Sequence, residues 1–566
     1  MIQRPLPFFI LSIGLLSILG LLFLRLTYLK TIKHDYYLEK SKNQLSRTIK
    51  VFPRRGKILD RNKKVFADVI PSYDIYILPQ KLTEIDQYLP RITDYLSLDH
   101  DSLKSYLLRT KATFFWLKRH CTPEEMKQIK SLKLPALGYI KTQSRYYPET
   151  KLGAQVLGFV GIDNQGLGGL EYLYDQRLKG TPGKIYMEGD PKGFPLMSGK
   201  LTRTPQYDGY HLVTTLDTFI QFSAQHHLSE GVSLNSAEKG QVIVMNPKTG
   251  EILAMAAYPS FNPNHWEDFP SRYRKNGTIV DVYEPGSIFK PVTIASAIDA
   301  ELVTPGTTLD VPETLQVYDR VISEAHRREA SESNQKTVSD ILVESLNVGT
   351  TLLAQKLGEA RQYDYISKFG FGQKTNIGLP AESAGISRSP SSWSKVDTAM
   401  ISFGQGIAVT SLQMIGAIAS IANKGQYMQP HVVKYVSNSD FSTQKSHPIT
   451  VKRQVIHPKI AQQVTEMMTA VVSSGTATSV QIPGYPIAGK TGTAQKAKLS
   501  GKGYEAGKYI ASFVGFFPVD DPQFIILVSV DSPQKSIWGS RVAGPIFKNI
   551  ATDLIQYARI PPQINL

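Results

Sequence analysis

The chain begins with an uncharged run from Pro5 to Leu24, made mostly of Leu, Ile and Phe. That length spans a bilayer as a helix. Arg25-Leu26-Thr27-Tyr28 follows it, without the small-x-small pattern of a cleaved signal peptide. We therefore expect a membrane-spanning anchor over 6–24, preceded by a short tail at 1–5. The flanking charges do not set its orientation, because Arg4 and the amino terminus oppose Arg25, Lys30 and Lys33. From 25 to 50 the residues are polar with scattered apolar positions, the pattern of a stalk helix. Pro53 to Asn62 is turn-rich and starts a new domain. Beyond it, short periodic runs predict small elements, among them a strand over Tyr73 to Leu78 and a helix over Glu124 to Leu132. The glycine-rich stretch Leu157 to Glu171 lacks the strand-then-helix frame of a phosphate loop, and it reads as a backbone-packing loop.

The pattern shifts near Asp208-Gly209. Strands are predicted over His211–Leu216, Gln241–Met245, Ile252–Ala256, Pro486–Ala494, Ile510–Pro518 and Phe524–Val530. Helices are predicted over Ile220–His227, 337–357, Leu412–Asn423 and Pro545–Ala558. Asn246 to Gly250 and Asp520-Asp521-Pro522 supply hairpin turns. Helices inserted between early and late strands point to α+β rather than a doubly wound sheet. The expected architecture is multi-domain α+β: an N-terminal transmembrane helix, a non-catalytic α+β stalk or pedestal over 25–205, and a domain over 206–566 with an antiparallel sheet flanked by helices.

Composition changes this picture little. A chain of 566 residues, 42% apolar and 20% charged, is globular and too long for one core. Lys plus Arg is 64 against 48 for Asp plus Glu, a net charge of +16 that suits a surface near anionic lipid or an anionic polymer. The basic residues are scattered and form no nucleic-acid motif, so no nucleic-acid partner is expected. Cys121 stands alone, which excludes an intrachain disulfide and a Cys cluster for zinc.

The chemistry centres on Glu284-Pro-Gly-Ser-Ile-Phe-Lys-Pro291. Pro-Gly cannot be helix interior, and the run from Val292 to Ile298 is small, apolar and helical in period. Ser287 should therefore sit at a helix start, with Lys290 one turn on along the same face. A serine hydroxyl is a poor nucleophile without an adjacent base. The bare S-x-x-K spacing recurs at Ser333–Lys336, Ser392–Lys395, Ser442–Lys445 and Ser532–Lys535, all in polar or turn-rich settings that read as solvated pairs. Ser345-Leu346-Asn347 lies within an apolar helix, where the i, i+2 spacing calls for a local turn to present both side chains. Lys490-Thr491-Gly492-Thr493 falls on a predicted strand. Decoys of these two exist at Ser233-Leu234-Asn235, read as a loop, and at Lys248-Thr249-Gly250, in a hairpin turn.

S-x-x-K, S-x-N and K-T-G in this order are the signature of penicillin-binding proteins and class A β-lactamases. With Arg55-Gly-Lys-Ile-Leu-Asp-Arg-Asn62, Gly168-Gly-Leu-Glu171, Ser402-Phe-Gly-Gln-Gly406 and Tyr509 to Pro518, the set resembles the motifs of class B penicillin-binding proteins over nearly the whole chain. The run Lys490 to Lys496 resembles the division-specific (septal) branch most. Lys63 departs from the family, which usually has Gly there. The resemblance implies a dimerisation-type pedestal, a β-lactamase-like transpeptidase domain, and a D,D-transpeptidase that cross-links peptidoglycan stem peptides and is acylated by β-lactams. It further implies an enzyme anchored in the bacterial inner (cytoplasmic) membrane by a single pass, with its catalytic domain on the periplasmic side.

On that reading Ser287 is the nucleophile and Lys290 its base. Lys290 must then be neutral, and bringing an amine from ~10.4 to near 7 takes about 4 to 5 kcal/mol of burial and like-charge repulsion. Lys490 would supply repulsion and attract the substrate carboxylate, to which Thr491 and Thr493 add hydroxyl contacts. Ser345 would pass a proton to the leaving amine. Asn347 would orient Lys290 and the substrate amide. The backbone N–H groups of Ser287 and Thr493 would form the oxyanion hole, and Gly492 would let the substrate backbone approach the strand. No cofactor or metal is implied, since His326, His431 and His457 lie in loop-like settings without ligand spacing.

Three other readings use the same residues: a side-wall elongation transpeptidase, a β-lactam hydrolase or sensor, and a scaffold with a decayed site. The large non-catalytic region and the anchor argue against a simple hydrolase, and the complete motif set argues against a decayed site. The amino-terminal region carries no paired acidic residues in an apolar frame, so no glycan polymerisation is expected from this chain alone; the resemblance implies a polytopic membrane glycosyltransferase of the division machinery as its partner.

Overall fold

The computed structural model describes residues 6–188, 202–325, 333–498 and 503–563. The expected tail at 1–5 and His326 lie outside them. By contacts the chain forms two compact units, Met1–Arg54 with Gly180–Asp208, and Arg55–Lys179 with Gly209–Leu566.

In the first unit, one helix runs from Leu6 to Thr31, past the predicted end at Leu24 and through Arg25 and Lys30. Its Phe8–Thr31 portion is long and apolar enough to cross a membrane, and none of it is buried. A second helix, His34–Leu45, stops short of residue 50. There the alternating Ser46-Arg-Thr-Ile-Lys-Val51 becomes a strand that pairs antiparallel with Gly183–Glu188. Thr202–Thr204 adds to the other side of Gly183–Glu188.

The second unit holds a five-stranded antiparallel sheet. Its strand order is Ile252–Tyr258, Lys239–Met245, Phe524–Asp531, Tyr504–Phe517 and Ala488–Ala497. The central strands are buried on both faces, with every residue of Phe524–Asp531 buried, because helices cover both sides. Thr218–Leu234 and Gly539–Tyr557 are packed on the sheet and on each other. The latter helix starts six residues before the predicted Pro545, which lies inside it. The fully buried helix Ser411–Ala422 also packs against the sheet. Ala488–Ala497 is an edge strand.

Residues 55–179 pack with the carboxy-terminal part rather than standing alone. Ile58–Leu59 pairs in parallel with Leu212–Val213, inside a larger sheet that carries the long Val65–Ile77 strand. Two of the motifs meet nearby. Arg55 Nε donates to Glu171 Oε2 at 2.7 Å, and Arg145 Nε donates to Glu171 Oε1 at 2.6 Å. Glu171 has no exposed surface, so its charge is held by the two guanidinium groups. Arg55 also reaches Asp175 at 2.7 Å. The loop Leu157–Glu171 is a packing loop, as its glycines suggested: a Cβ on Gly158 would stand 1.8 Å from the Gly168 carbonyl oxygen. Lys63, the departure from the family pattern, has φ of 68°. That left-handed conformation favours glycine, and Lys63 adopts it with its amine over the Phe441 ring at 5.1 Å.

Removing one partner from a buried ion pair costs about 3–5 kcal/mol. Arg55→Ala should therefore lower the unfolding free energy of the full chain by roughly that amount in urea titrations followed by tryptophan fluorescence. A loss under about 1 kcal/mol, the value of a surface ion pair, would contradict the account.

Candidate active site

Ser287 lies in a 3-10 turn, Gly286–Phe289, that runs into the helix Lys290–Asp299. The Lys290 N–H donates to the Ser287 carbonyl, which fixes the turn, and Pro291 sits at its tolerated place in the first helical turn. The Ser402–Gly406 motif backs this turn. The Gly286 N–H donates to the Gly404 carbonyl at 3.0 Å, and a Cβ on Gly404 would meet Gly286 O at 2.3 Å. Thr293 Oγ1 donates to Ser402 O at 2.7 Å. The carboxylate of Glu284 accepts from the Gly406 N–H at 2.9 Å and from the Tyr504 hydroxyl at 3.0 Å.

The predicted helix over 337–357 is two helices, Val338–Val343 and Asn347–Leu357. Ser345 breaks them with φ of 61°, so the local turn expected from the i, i+2 spacing is present. That break aims Ser345 and Asn347 at Lys290. Lys290 Nζ donates to Ser345 O at 2.5 Å and to Asn347 Oδ1 at 2.8 Å, and lies 3.3 Å from Ser345 Oγ. Lys490 Nζ approaches the same Ser345 Oγ at 2.8 Å. Both lysines have no exposed surface.

Burial pushes Lys290 down to about 7, and the negative charge of Glu324 opposes it. Burial, then repulsion from Lys290, holds Lys490 well below the ordinary lysine range. A neutral amine has two N–H donors and one lone pair. Lys290 can place its two donors on Ser345 O and Asn347 Oδ1, leaving the lone pair for a hydroxyl proton. Ser345 has one proton to give and two amines beside it, so it can relay between them. The arrangement can thus accept a proton from one hydroxyl and pass it on through another.

The cleft has a volume of about 710 Å³ and is lined by Ser287, Ser345, Thr491 and Thr493, among others. Lys290, Asn347 and Lys490 stand behind it. Thr491 Oγ1 lies 3.2 Å from Thr476 Oγ1, and Thr493 Oγ1 accepts from the Gly539 N–H at 3.2 Å. The packing around Gly492 also requires glycine. A Cβ there would meet Ser512 Oγ at 2.4 Å and Ile288 Cγ2 at 3.0 Å. Its missing side chain makes room for the Ser287 turn and the neighbouring strand, on the side away from the cleft.

Several lining residues were not legible beforehand, including Trp538 and Arg541. Glu324 matters most: its carboxylate accepts from the Asn347 N–H at 2.5 Å and the Val348 N–H at 3.0 Å, holding the start of the Asn347–Leu357 helix. Among the S-x-x-K decoys, Ser333 and Lys336 line the cleft after all, and Lys336 pairs with Glu344 at 2.8 Å. Ser392, Ser442 and Ser532 do not line it. Ser532 is buried and donates to Asp531, so it is not a solvated residue. Ser233-Leu234 is the last turn of a helix and Asn235 its cap, not a loop. His431 is buried against the Gln429 carbonyl, and His457 caps the helix Pro458–Ser473.

Comparison with known proteins agrees with this geometry. Residues 240–552 match the model of the penicillin binding protein transpeptidase domain, and residues 50–214 match that of the penicillin-binding protein dimerisation domain. Stage V sporulation protein D of Bacillus subtilis is 32% identical over 96% of this chain and 84% of its own length. Peptidoglycan D,D-transpeptidase FtsI of Escherichia coli is 30% identical over 96% of this chain and 91% of its own. The crystal structure of penicillin binding protein 3 from Mycobacterium tuberculosis, complexed with aztreonam, superposes with a TM-score of 0.71 at 28% identity, covering 91% of this chain and 98% of that one. The chain belongs to the class B penicillin-binding proteins and is an enzyme of their transpeptidase class.

The depressed Lys290 gives a signed pH dependence. Only the neutral amine accepts a proton, so acylation by a β-lactam should rise about tenfold per pH unit below about 7 and level off above it. The unfolded chain holds this proton up to ~10.4, so the same group adds stability as pH climbs from about 7 to that value. Glu324→Gln removes the charge that favours protonated Lys290 and should move the rising limb to lower pH. Stopped-flow acylation rates across pH check both, and a limb unmoved in the variant or centred near ~10 would contradict them.

Proposed function

We propose that this protein is a serine-acyl peptidoglycan D,D-transpeptidase that cross-links stem peptides during cell division. The observation that carries this reading is the pair of buried lysines meeting at Ser345 Oγ beside the Ser287 turn. Ser287 Oγ attacks the carbonyl of the penultimate D-Ala while its proton passes to Lys290. The oxyanion that forms is held by the N–H groups of Ser287 and Thr493. The placement of Gly286 against the Thr493 carbonyl, 3.2 Å from an ideal Cβ, supports this by bringing the two backbones together. The C–N bond then breaks, and Ser345 hands a proton to the departing D-Ala amine. The amine of a second stem peptide attacks the acyl-enzyme, gives up its proton to the same base, and releases Ser287 with a new peptide bond. Asn347 orients Lys290 and the substrate amide. Lys490, Thr491 and Thr493 receive the terminal carboxylate, and β-lactams enter as analogues of the same terminus.

Residues 25–205 act as stalk and non-catalytic pedestal, and 206–566 as the transpeptidase domain. The helix at 6–24 anchors the chain by a single pass in the bacterial inner (cytoplasmic) membrane, with catalysis on the periplasmic side. A polytopic membrane glycosyltransferase and other division proteins are its partners. The Lys490 to Lys496 run and the likeness to the division protein FtsI support the septal role.

Ser287→Ala should abolish covalent labelling by a fluorescent penicillin, and the wild-type acyl-enzyme should persist for hours. Labelling that survives in the variant would refute the nucleophile, and acyl-enzyme turnover in seconds would point to a hydrolase.

A further inference from the structure

We propose that His226, His227 and Glu230 form a binding site for a divalent cation of the zinc class, outside the catalytic cleft. All three project from the helix Thr218–Leu234, and their ligand atoms lie within 4.8 Å of one another. Glu230 offers one carboxylate oxygen to each histidine: Oε1 is 3.3 Å from His226 Nε2, and Oε2 is 3.5 Å from His227 Nδ1. Spacings near ~3.3 Å are those of two ligands on one tetrahedral zinc with bonds of about 2.0–2.1 Å.

The surroundings of His227 carry the inference further. Its Nε2 lies 2.9 Å from Asp553 Oδ2 on the helix Gly539–Tyr557. An ionised carboxylate only accepts, so Nε2 is the donating nitrogen there and Nδ1 is the ring nitrogen left to meet a further ligand. That Nδ1 is buried, has no hydrogen-bond partner, and faces the Glu230 carboxylate. A lone pair facing an anion is repulsive until a cation or a proton comes between them. Asp553 thus stands to His227 as the outer carboxylate that orients a metal-binding imidazole. It is held in turn by Ser223 Oγ at 2.7 Å. His226, stacked on Phe222 with ring centroids 5.6 Å apart, is exposed enough to swing onto a shared ion. Two imidazoles with one carboxylate favour zinc and its neighbours over magnesium or calcium. A cation there would fix the His227 ring and so hold its hydrogen bond to Asp553 on the helix Gly539–Tyr557.

The test uses the full chain, without a histidine tag, in detergent micelles stripped of metal. Cobalt(II) serves as the optical probe and zinc as its competitor. We expect one cobalt per chain with ligand-field bands of a low-symmetry site, displaced by zinc, and a melting temperature that rises with zinc. His226→Ala and Glu230→Gln, both at exposed positions, should remove the bands and the zinc-dependent rise. Asp553→Asn should weaken binding about 10- to 100-fold, as loss of an outer-shell partner does. Bands that persist in the ligand variants would overturn the proposal. So would a melting temperature that follows pH and ignores zinc, since a proton would then be the bridging cation.

Discussion

Ser345 Oγ is approached by two lysine amines, Lys490 at 2.8 Å and Lys290 at 3.3 Å, neither of which touches solvent. Two ammonium groups cannot share so small a buried space without a large cost, and among the described residues Glu324 is the counter-charge acting on Lys290. The pair is therefore driven toward neutrality. The rest of the catalytic unit keeps it there. The edge strand Ala488–Ala497 delivers Lys490, the helix Lys290–Asp299 delivers Lys290, and the break at Ser345 delivers the hydroxyl between them. Each comes from a different element, so the sheet and its covering helices act together as the scaffold for one proton path.

The cost of a suppressed lysine, about 4 to 5 kcal/mol for Lys290, is large against the stability of a domain. It is met by packing elsewhere: a five-stranded sheet with its central strands buried on both faces, and a second set of buried charges of opposite sign held in ion pairs. The contrast between the two charge clusters is instructive. Around Glu171 the charges are opposite, so Arg55 and Arg145 pair with it and the cluster fixes the fold. Around Ser345 the nearest buried charges are alike, so protons are loosely held and the cluster can do chemistry.

Much of this was legible from sequence because local signals coincide with the elements. The Pro-Gly entry and apolar run placed Ser287 and Lys290 at a helix start, and the i, i+2 spacing called for the turn at Ser345. The uncharged run gave the first helix, and charge alone could not stop it at Leu24, since Arg25 and Lys30 continue its hydrogen-bonding pattern. What sequence concealed are pairings set by the tertiary fold. Glu324 lies in no motif, yet it caps a helix 23 residues on. Lys336, discounted as a decoy, is carried into the cleft by the chain around it. The space that Gly492 leaves for Ile288 and Ser512 is likewise set by the tertiary fold. The adjacency of His226 and His227 is visible in the sequence, but their partner Asp553 is 326 residues away from His227.

The structure requires Lys290 to lose its proton near neutral pH rather than near ~10, because burial pushes its amine down to about 7. Carbon-13 NMR of lysine-labelled full-length protein, with the Lys290 Cε signal assigned through Lys290→Arg, measures this without reference to catalysis. A titration centred at about 7 is expected. A Lys290 signal that stays in the ammonium position until ~10, the range of an ordinary exposed lysine, would contradict it.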